Sequence, residues 1–215
     1  MKISKRLKTI ADLIPDNSRV IDVGCDHAYL SIYLSREKNC RCIASDVNEN
    51  ALENAKKNKR KYNSDIEIVL TDGLNGIDIS NDDYIIIAGM GTTTICNILK
   101  DKKLSNNIII SSNNQLYELR KFVVELGYYI SEEIFVEDYG KKYVIIKFIK
   151  GIKKYSKKEL EYGPIVSKDI NYLSYELTKL LSISSNIDNS NFLTKLKYKK
   201  KIKNIKKLIQ NEQGK

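Results

Sequence analysis

The segment most informative about architecture runs from residue 20 to residue 30 and reads Val20-Ile21-Asp22-Val23-Gly24-Cys25-Asp26-His27-Ala28-Tyr29-Leu30. Its β-branched beginning predicts a buried strand, Gly24 predicts a turn, and the residues from Ala28 onward predict a helix. A strand that passes through a glycine turn into a helix forms the usual ligand crevice of an open α/β sheet. We therefore expect a ligand at the carboxyl end of this first strand.

The rest of the first 150 residues alternates short apolar strands with helical patterns. The predicted strands are 19–23, 41–45, 66–70, 84–88 and 107–111, and the predicted helices are 28–36, 49–62, 92–99 and 115–126. This alternation favours an α/β fold with a doubly wound parallel sheet. Two further strands, 128–137 and 142–148, are separated by only four residues, which predicts an antiparallel hairpin. A parallel sheet that ends in such a hairpin is the Rossmann-like pattern of class I methyltransferases.

The residues of the glycine turn indicate the charge of the ligand. Dinucleotide sites need G-x-G-x-x-G, because glycines let the backbone close on a pyrophosphate. Here only Gly24 is present, and Asp26 and Tyr29 take the other two glycine positions. A carboxylate there would repel a pyrophosphate, whereas Asp22 and Asp26 together suit the ammonium and sulfonium of S-adenosylmethionine. We therefore predict this cofactor and no metal.

Other strand ends add to the predicted cofactor site. Asp46 follows the second strand, where a carboxylate can accept both ribose hydroxyls, and Asp72-Gly73 follows the third, where one can accept from the adenine amino group. Ala88-Gly89-Met90 ends the fourth strand and predicts a floor of small residues. A turn-capping role for each aspartate and a simple strand-to-helix turn at the glycines are the competing interpretations. The predicted cofactor-binding residues are Asp22, Gly24, Cys25, Asp26, His27, Asp46, Val47, Asp72, Gly73, Ala88, Gly89 and Met90.

The charge of the chain is concentrated near its end. Residues 151–215 carry 15 lysines and 6 acidic residues, so they hold +9 of the formal net charge of +10. Apolar residues at 170, 173, 177 and 180 form a heptad seam, residues 182–191 resemble a turn, and a second apolar stripe begins at Phe192, which predicts a basic helical hairpin or short coiled coil. We expect a domain of residues 1–155 and a hairpin of residues 156–215 that attracts a polyanion. A lysine-rich composition without a binding role is the alternative.

Taken in order, the motifs resemble the bacterial family that methylates N1 of adenine-22 in tRNA. They are Arg6-Leu7, Ile10-Ala11, Asp22-Val23-Gly24, Asp26-His27-Ala28-Tyr29-Leu30, Ala44-Ser45-Asp46, Asp72-Gly73-Leu74, Ala88-Gly89-Met90-Gly91, Leu119-Arg120, Tyr155-Ser156 and Tyr162-Gly163-Pro164. The resemblance covers about residues 1–165. It departs from the family at Ser111-Ser112-Asn113, where Gln-Pro-Asn is expected, and at Thr92, where a glycine is common.

The resemblance implies an S-adenosylmethionine-dependent enzyme whose substrate is tRNA. The site has to flip out the base and align its N1 with the methyl group, and a carboxylate would stabilise the charge that develops on the ring. The expected catalytic residues are Asp26, His27, Tyr29 and Asn113. The expected RNA-binding residues are Lys5, Arg6, Lys195, Lys197, Lys199, Lys200 and Lys201. The alternative interpretation of His27 is a residue at the N-terminus of the helix that is satisfied by a backbone partner.

Composition excludes several other classes of protein. The four cysteines are too few and too scattered for a disulfide framework, and Cys40-x-Cys42 lacks the further ligands of a zinc site. Neither a signal peptide nor an apolar segment of bilayer length is evident, so we expect a cytoplasmic protein with no membrane partner. We also expect a monomer without an obligate protein partner. Two alternatives remain open: a class I methyltransferase acting on another RNA or a small molecule, and a non-catalytic RNA-binding protein on the same fold.

Overall fold

The computed structural model describes residues 1–112, 114–188 and 190–214, and the chain divides into two compact units, Met1–Glu161 and Tyr162–Lys215. The elements of the first unit are α1 (Lys5–Asp12), β1 (Arg19–Val23), α2 (Tyr29–Lys38), β2 (Arg41–Asp46), α3 (Glu49–Lys61), β3 (Glu67–Leu70), β4 (Tyr84–Ala88), α4 (Thr92–Leu99), β5 (Asn107–Ser112), α5 (Leu116–Glu125), β6 (Tyr128–Asp138), β7 (Lys141–Lys150) and α6 (Lys157–Tyr162), whose last residue opens the second unit. The sequence-based boundary, between residues 155 and 156, falls just before α6.

The described strands form one seven-stranded sheet in the order β3-β2-β1-β4-β5-β7-β6. Strands β1 to β5 pair in parallel, whereas β7 is antiparallel to both β5 and β6. The three isoleucines at 85, 86 and 87 of β4 are fully buried, as expected of a strand covered on both faces. The predicted fold class is confirmed, and the strand limits agree with the predicted ones to within two residues.

The order of the strands determines where a ligand can bind. The chain leaves β1 toward β2 on one side, while β4 lies on the other side of β1. Helices therefore diverge at the carboxyl ends of β1 and β4, and an open crevice forms at such a switch point. The glycine turn after β1 and the small residues after β4 meet at this place.

A buried ion pair links α5 to β6. Arg120 Nε donates to Glu133 Oε1 over 2.7 Å, and both side chains are inaccessible to solvent. Arg120 Nη1 also donates to the backbone oxygen of Leu160 over 3.1 Å, which ties the residues of α6 to the sheet. Burial of two charges requires this degree of pairing, because a lone charge in the interior is strongly destabilising.

The second unit contains a short 3-10 helix (Val166–Lys168) and the two helices α7 (Ile170–Ser185) and α8 (Phe192–Gln213). Helices α7 and α8 pack against each other as a helical hairpin, with Leu173 and Ile205 buried. The prediction of a turn from residue 182 was wrong for its first residues, since α7 continues to Ser185. There the Ser185 hydroxyl donates to the backbone oxygen of Ser182, which satisfies a polar side chain inside the helix. The prediction of a second apolar stripe was also wrong in part, because two of its residues, Phe192 and Leu196, are exposed.

Among the described residues, none of the helices has the length and apolar character that crossing a bilayer requires.

Candidate functional site

A cavity of about 440 Å³ opens at the carboxyl ends of β1, β2 and β4. Its lining residues come from α1, from the turn between β1 and α2, and from the ends of β2 and β4. They are Arg6, Leu7, Asp22, Gly24, Cys25, Asp26, His27, Tyr29, Leu30, Asp46, Ala88, Gly89 and Met90. Nine of the twelve predicted cofactor-binding residues therefore lie together in one crevice, which we call the cofactor cavity.

The turn between β1 and α2 has an unusual backbone. Gly24, Asp26 and Ala28 all have positive φ angles, of 73°, 49° and 55°. This region is unfavourable for Asp and especially for Ala, and such strain persists where the surrounding structure holds it, often at functional sites. The amides of Gly24 and Cys25 both donate to the Ser45 oxygen of β2, at 2.8 and 2.9 Å, and thereby hold the turn.

The positive φ at position 24 favours glycine. A Cβ atom built there would lie 2.1 Å from the methyl carbon of Met90, and the positive φ adds to the restriction. The Met90 side chain therefore rests directly against the Gly24 backbone and forms part of the cavity floor. This contact joins the ends of β1 and β4.

The carboxylate of Asp46 organises the rim of the cavity. Its Oδ2 accepts from the Asp26 amide at 3.1 Å, and its Oδ1 accepts from the Asn48 amide at 3.0 Å. Two carboxylate oxygens together offer about four acceptor positions, so each retains capacity for another donor. The two amides fix the direction of the carboxylate, which makes it a preorganised acceptor for hydroxyl groups.

Asp22 lies deeper and is buried, with 4 % of its surface exposed. Its Oδ2 accepts from the Ser31 hydroxyl at 2.7 Å. Burial raises the pKa of Asp22 to about 6, although the Ser31 hydrogen bond and the nearby Arg6 charge oppose this increase. A carboxylate with such a pKa is stabilised by a cation, so the position suits the ammonium group of a ligand.

Arg6 was predicted to bind RNA, yet its side chain lines the cofactor cavity. The guanidinium carbon lies 4.7 Å from the ring centroid of Tyr143, and a Cβ at Gly89 would be 3.6 Å from Nη1. No sequence pattern predicts this location, because α1 precedes the crevice loop and Tyr143 follows it by more than a hundred residues. Arg6 provides a positive charge beside Asp22.

A second cavity of about 440 Å³ adjoins the first and shares Arg6, Gly89 and Met90 with it. Its remaining lining residues are Gly91, Ser111, Ser112, Asn114, Lys141 and Tyr143. The Ser111 side chain is buried, and its hydroxyl has no hydrogen-bond partner within the described part of the chain. We call this space the second cavity. Residues 111–113 are the expected place of departure from the family, whereas Lys141 and Tyr143 were not predicted from the sequence.

The aromatic residues of the turn lie at the rim. The rings of His27 and Tyr29 are 5.7 Å apart, and Tyr29 meets Tyr62 edge-on at 6.5 Å. The His27 backbone oxygen accepts from Asn58 Nδ2 at 3.0 Å. The Nε2 of the His27 ring lies 3.5 Å from Asp26 Oδ2. The Asn58 side chain thus binds the His27 backbone, while the half-exposed His27 ring lies at the cavity.

Other predicted site residues lie elsewhere. Val47 is 70 % exposed and, with Asp72 and Gly73, is absent from the lining of the cofactor cavity. Gly73 is favoured locally, since its φ is 62° and a Cβ there would lie 3.1 Å from the Ile98 side chain. Asn113 lies outside the described residues. Lys5 is exposed on α1, and Lys197, Lys199 and Lys200 are exposed on α8, where Lys195 and Lys201 are partly buried.

The cofactor cavity fits S-adenosylmethionine in its charges. Asp22 and Asp26 supply negative charge for the ammonium and sulfonium, Asp46 is an acceptor for hydroxyls, and Arg6 can pair with a carboxylate. Within residues 1–112, 114–188 and 190–214, no group of three His, Cys, Asp or Glu side chains is arranged to hold a metal ion.

The chain is similar to known methyltransferases. A model of the methyltransferase domain matches residues 3–146. The tRNA (adenine(22)-N(1))-methyltransferase of Bacillus subtilis is 34% identical over 153 residues, which are 68% of this chain and 64% of that protein, so the match spans slightly less than two thirds of its length.

Two solved structures are similar over nearly their whole length. TrmK of M. capricolum, in complex with S-adenosyl-homocysteine, is 32% identical with a TM-score of 0.84, covering 98% of this chain and 99% of that one. A putative tRNA (m1A22) methyltransferase of Streptococcus pneumoniae is 31% identical with a TM-score of 0.86, covering 97% and 100%. The cavity lined by Asp22, Asp26 and Asp46 thus lies in a chain that belongs to the bacterial tRNA (adenine-22-N1)-methyltransferase family of class I methyltransferases.

Proposed function

We propose that this protein transfers the methyl group of S-adenosylmethionine to N1 of adenine 22 in tRNA. The observation that carries the proposal is the pair of adjoining cavities, one lined by three aspartates and the other by small and polar residues. The proposed function predicts two ligands of different kinds whose reacting atoms meet at the residues shared by both cavities. Those residues are Arg6, Gly89 and Met90.

In the cofactor cavity each charged side chain has a separate task. Asp22 binds the ammonium group, Asp46 accepts from the ribose hydroxyls, and Arg6 pairs with the carboxylate of the methionine moiety. This proposal assigns Arg6 to cofactor binding and not to RNA binding. It leaves Val47, Asp72 and Gly73 with the weakest support among the cofactor residues predicted from sequence.

In the second cavity the protein holds the flipped adenine. Gly89 and Gly91 leave room for a flat ring, and the Ser111 hydroxyl is an acceptor for the exocyclic amino group. N1 of adenine already carries an in-plane lone pair, so the reaction needs no general base. The protein has to align N1, exclude water and stabilise the product.

The cofactor, when bound, supplies the methyl group, and its sulfur retains the electron pair of the broken S–CH₃ bond. The lone pair of N1 forms the new bond, and the adenine ring acquires a positive charge. Asp26 is placed at the rim with its carboxylate 3.5 Å from His27, where it stabilises that charge electrostatically. Tyr29 and His27 form the aromatic edge of the opening, and Asn113 stays a predicted positioning residue.

The lysines of α8 provide attraction to the phosphates of the folded RNA, together with Lys5 on α1. The tRNA is then the principal partner, and the cytoplasm is the compartment where the enzyme meets it. A monomeric state without an obligate protein partner is part of the same proposal.

The direct test is nucleoside mass spectrometry of an unmodified tRNA transcript after incubation with the protein and S-adenosylmethionine. The expected product is 1-methyladenosine, and a transcript with guanine in place of adenine 22 should yield none. Equal methylation of both transcripts would refute the choice of nucleotide. Methylation of neither would favour another RNA or a small molecule as the substrate.

A further inference from the structure

The turn between β6 and β7 carries an exposed aromatic residue in an unfavourable backbone conformation. Asp138 pairs with Lys141, so Tyr139 and Gly140 are the two central residues of the hairpin turn. Both have positive φ angles, 47° for Tyr139 and 73° for Gly140, as in a type I′ turn. Asn, Asp or Gly is preferred at the first central position, and a bulky residue there is an outlier. Tyr139 is nevertheless 90 % exposed.

Local packing gives no reason for a tyrosine at this position. With 90 % of its surface accessible, the ring contributes little buried apolar area, and turn geometry favours smaller residues. Exposed aromatic rings with neighbouring cations are typical of surfaces that stack unpaired bases, because every base has a face on which a ring can lie.

The strand register places this turn beside the second cavity. In chain order, the first β7 residue that pairs with β5 is Val144, which lies opposite Ser112 at the carboxyl end of β5. Residues 141–143 extend beyond that point by about 10 Å, at roughly 3.4 Å per residue. Two of them, Lys141 and Tyr143, line the second cavity. The turn therefore projects past the edge of the sheet at which the flipped base is proposed to bind.

A contact with α1 holds the turn in place. The Lys5 amide donates to Asp138 Oδ1 over 3.0 Å, so the first helical residue of α1 is tied to the residue before Tyr139. This brings the exposed lysines at 5 and 141 to the same rim. Lys5 and Lys141 can bind phosphates at this rim, where Asp138 is engaged by the Lys5 amide and Glu137 is paired with Lys142.

We propose that Tyr139 stacks on an unpaired base of the tRNA next to the flipped adenine, while Lys141 binds a neighbouring phosphate. The proposal rests on the proposed function, because it takes tRNA as the ligand of this rim. The Tyr139 ring then occupies the space beside the neighbouring base that the adenine leaves when it flips out. The strained turn fixes the backbone of Tyr139, so that only the torsions of its own side chain vary.

The test uses the full-length protein and three variants. Tyr139→Asn removes the ring but places a favoured residue in the turn, Tyr139→Phe keeps the ring, and Lys141→Gln removes only the charge. Affinity for an unmodified tRNA transcript is measured by fluorescence anisotropy at several salt concentrations. Melting temperature and affinity for S-adenosylmethionine are measured for each variant.

Tyr139→Asn should weaken tRNA binding roughly tenfold, as expected for one lost base–aromatic stack, without changing the salt slope. Tyr139→Phe should bind as the wild type does. Lys141→Gln should make the slope of log affinity against log salt shallower by about 0.7–0.9, as one lost phosphate contact predicts. All three variants should retain the cofactor affinity and at least the wild-type melting temperature, which Tyr139→Asn should raise by relieving the unfavourable turn conformation.

Wild-type affinity in Tyr139→Asn would overturn the stacking proposal, and so would an equal loss in Tyr139→Phe, which would assign the effect to the hydroxyl. A lower melting temperature together with the lost affinity would assign it to the turn. The ratio of the variant affinities decides this proposal, whereas the formation of 1-methyladenosine by the wild type decides the proposed function. A wild-type protein that binds no tRNA would refute the stacking directly.

Discussion

The Asp26 amide donates to Asp46 Oδ2 over 3.1 Å, so the strained turn after β1 is fastened to the end of β2 by the same carboxylate that is proposed to bind the cofactor. This contact couples the shape of the turn to the cofactor site. A ligand hydroxyl that binds Asp46 also reinforces the position of the turn, because the carboxylate is held from both sides.

Replacement of Asp46 by alanine should therefore weaken S-adenosylmethionine binding by about 1–3 kcal/mol, since the ribose hydroxyls lose a charged acceptor. Titration calorimetry measures the change. Asp65→Ala is the matched control, because Asp65 is an exposed carboxylate that precedes β3, at the opposite edge of the sheet, and its loss should leave the affinity unaltered. Equal affinities for the Asp46 variant and the wild type would remove Asp46 from the site.

The raised pKa of Asp22 predicts a pH dependence of cofactor binding. With a pKa of about 6, roughly a tenth of the free protein is ionised at Asp22 at pH 5. Because the ligand ammonium prefers the ionised form, affinity for S-adenosylmethionine should rise about tenfold as the pH rises from about 5 to 7. The folding stability of the free protein should show the opposite trend. Because the pKa of Asp22 is raised on folding, this group contributes stability at low pH that is lost as the pH rises through about 6.

Asp22→Asn should abolish the pH dependence of binding that belongs to this group. Asparagine still accepts from Ser31, so the variant preserves the hydrogen bond seen at 2.7 Å. His27 also lines the cavity, and His27→Gln separates its contribution. A pH profile that persists unchanged in Asp22→Asn but disappears in His27→Gln would contradict the assignment.

Arg6 and Lys5 offer a comparison of neighbouring cations. Arg6→Gln should weaken S-adenosylmethionine binding roughly tenfold, because a charge-assisted pair with the ligand carboxylate is lost. Lys5→Gln should leave cofactor affinity unaltered and reduce only the affinity for tRNA. Should Arg6→Gln bind the cofactor normally and show a shallower tRNA salt slope, the original prediction of RNA binding would be the right one.

The charge of α8 predicts a salt effect on tRNA affinity alone. Lys197→Gln combined with Lys199→Gln should make the slope of log affinity against log salt shallower by about 0.7–0.9 for each lost phosphate contact. Cofactor affinity should be unchanged. The matched control removes Lys100 and Lys103, two exposed lysines that precede β5 at the edge of the sheet opposite the crevice. Identical slopes for the two double variants would refute an RNA role for α8.

The sequence permits prediction of those parts of the site that lie at the ends of parallel strands. Asp22 and Asp46 come together because β1 and β2 are neighbours whose carboxyl ends meet at one edge, and strand patterns are readily recognised. Asp72 follows β3, the edge strand, and the chain turns there, with the Asn75 amide donating to the Asp72 backbone oxygen. Its carboxylate is exposed, a difference that no local pattern predicts.

The second cavity depends on contacts between distant parts of the chain. Arg6 meets Tyr143 because α1 and the beginning of β7 lie at the same edge, and β7 enters the sheet antiparallel between β5 and β6. Sequence separation of more than a hundred residues hides this proximity. The end of α7 was mispredicted for a different reason, since serines favour turns in general yet can satisfy their hydroxyls within a helix.

The buried pair of Arg120 and Glu133 also constrains how this protein can diverge. Loss of either partner leaves a lone charge in the interior, at a penalty of about 3–5 kcal/mol, which is a large part of the stability of a typical domain. Replacement of both by apolar residues of similar size is far less harmful. The two positions are therefore energetically coupled, so that a single substitution at either one passes through a destabilised protein, whereas a simultaneous change of both residues does not.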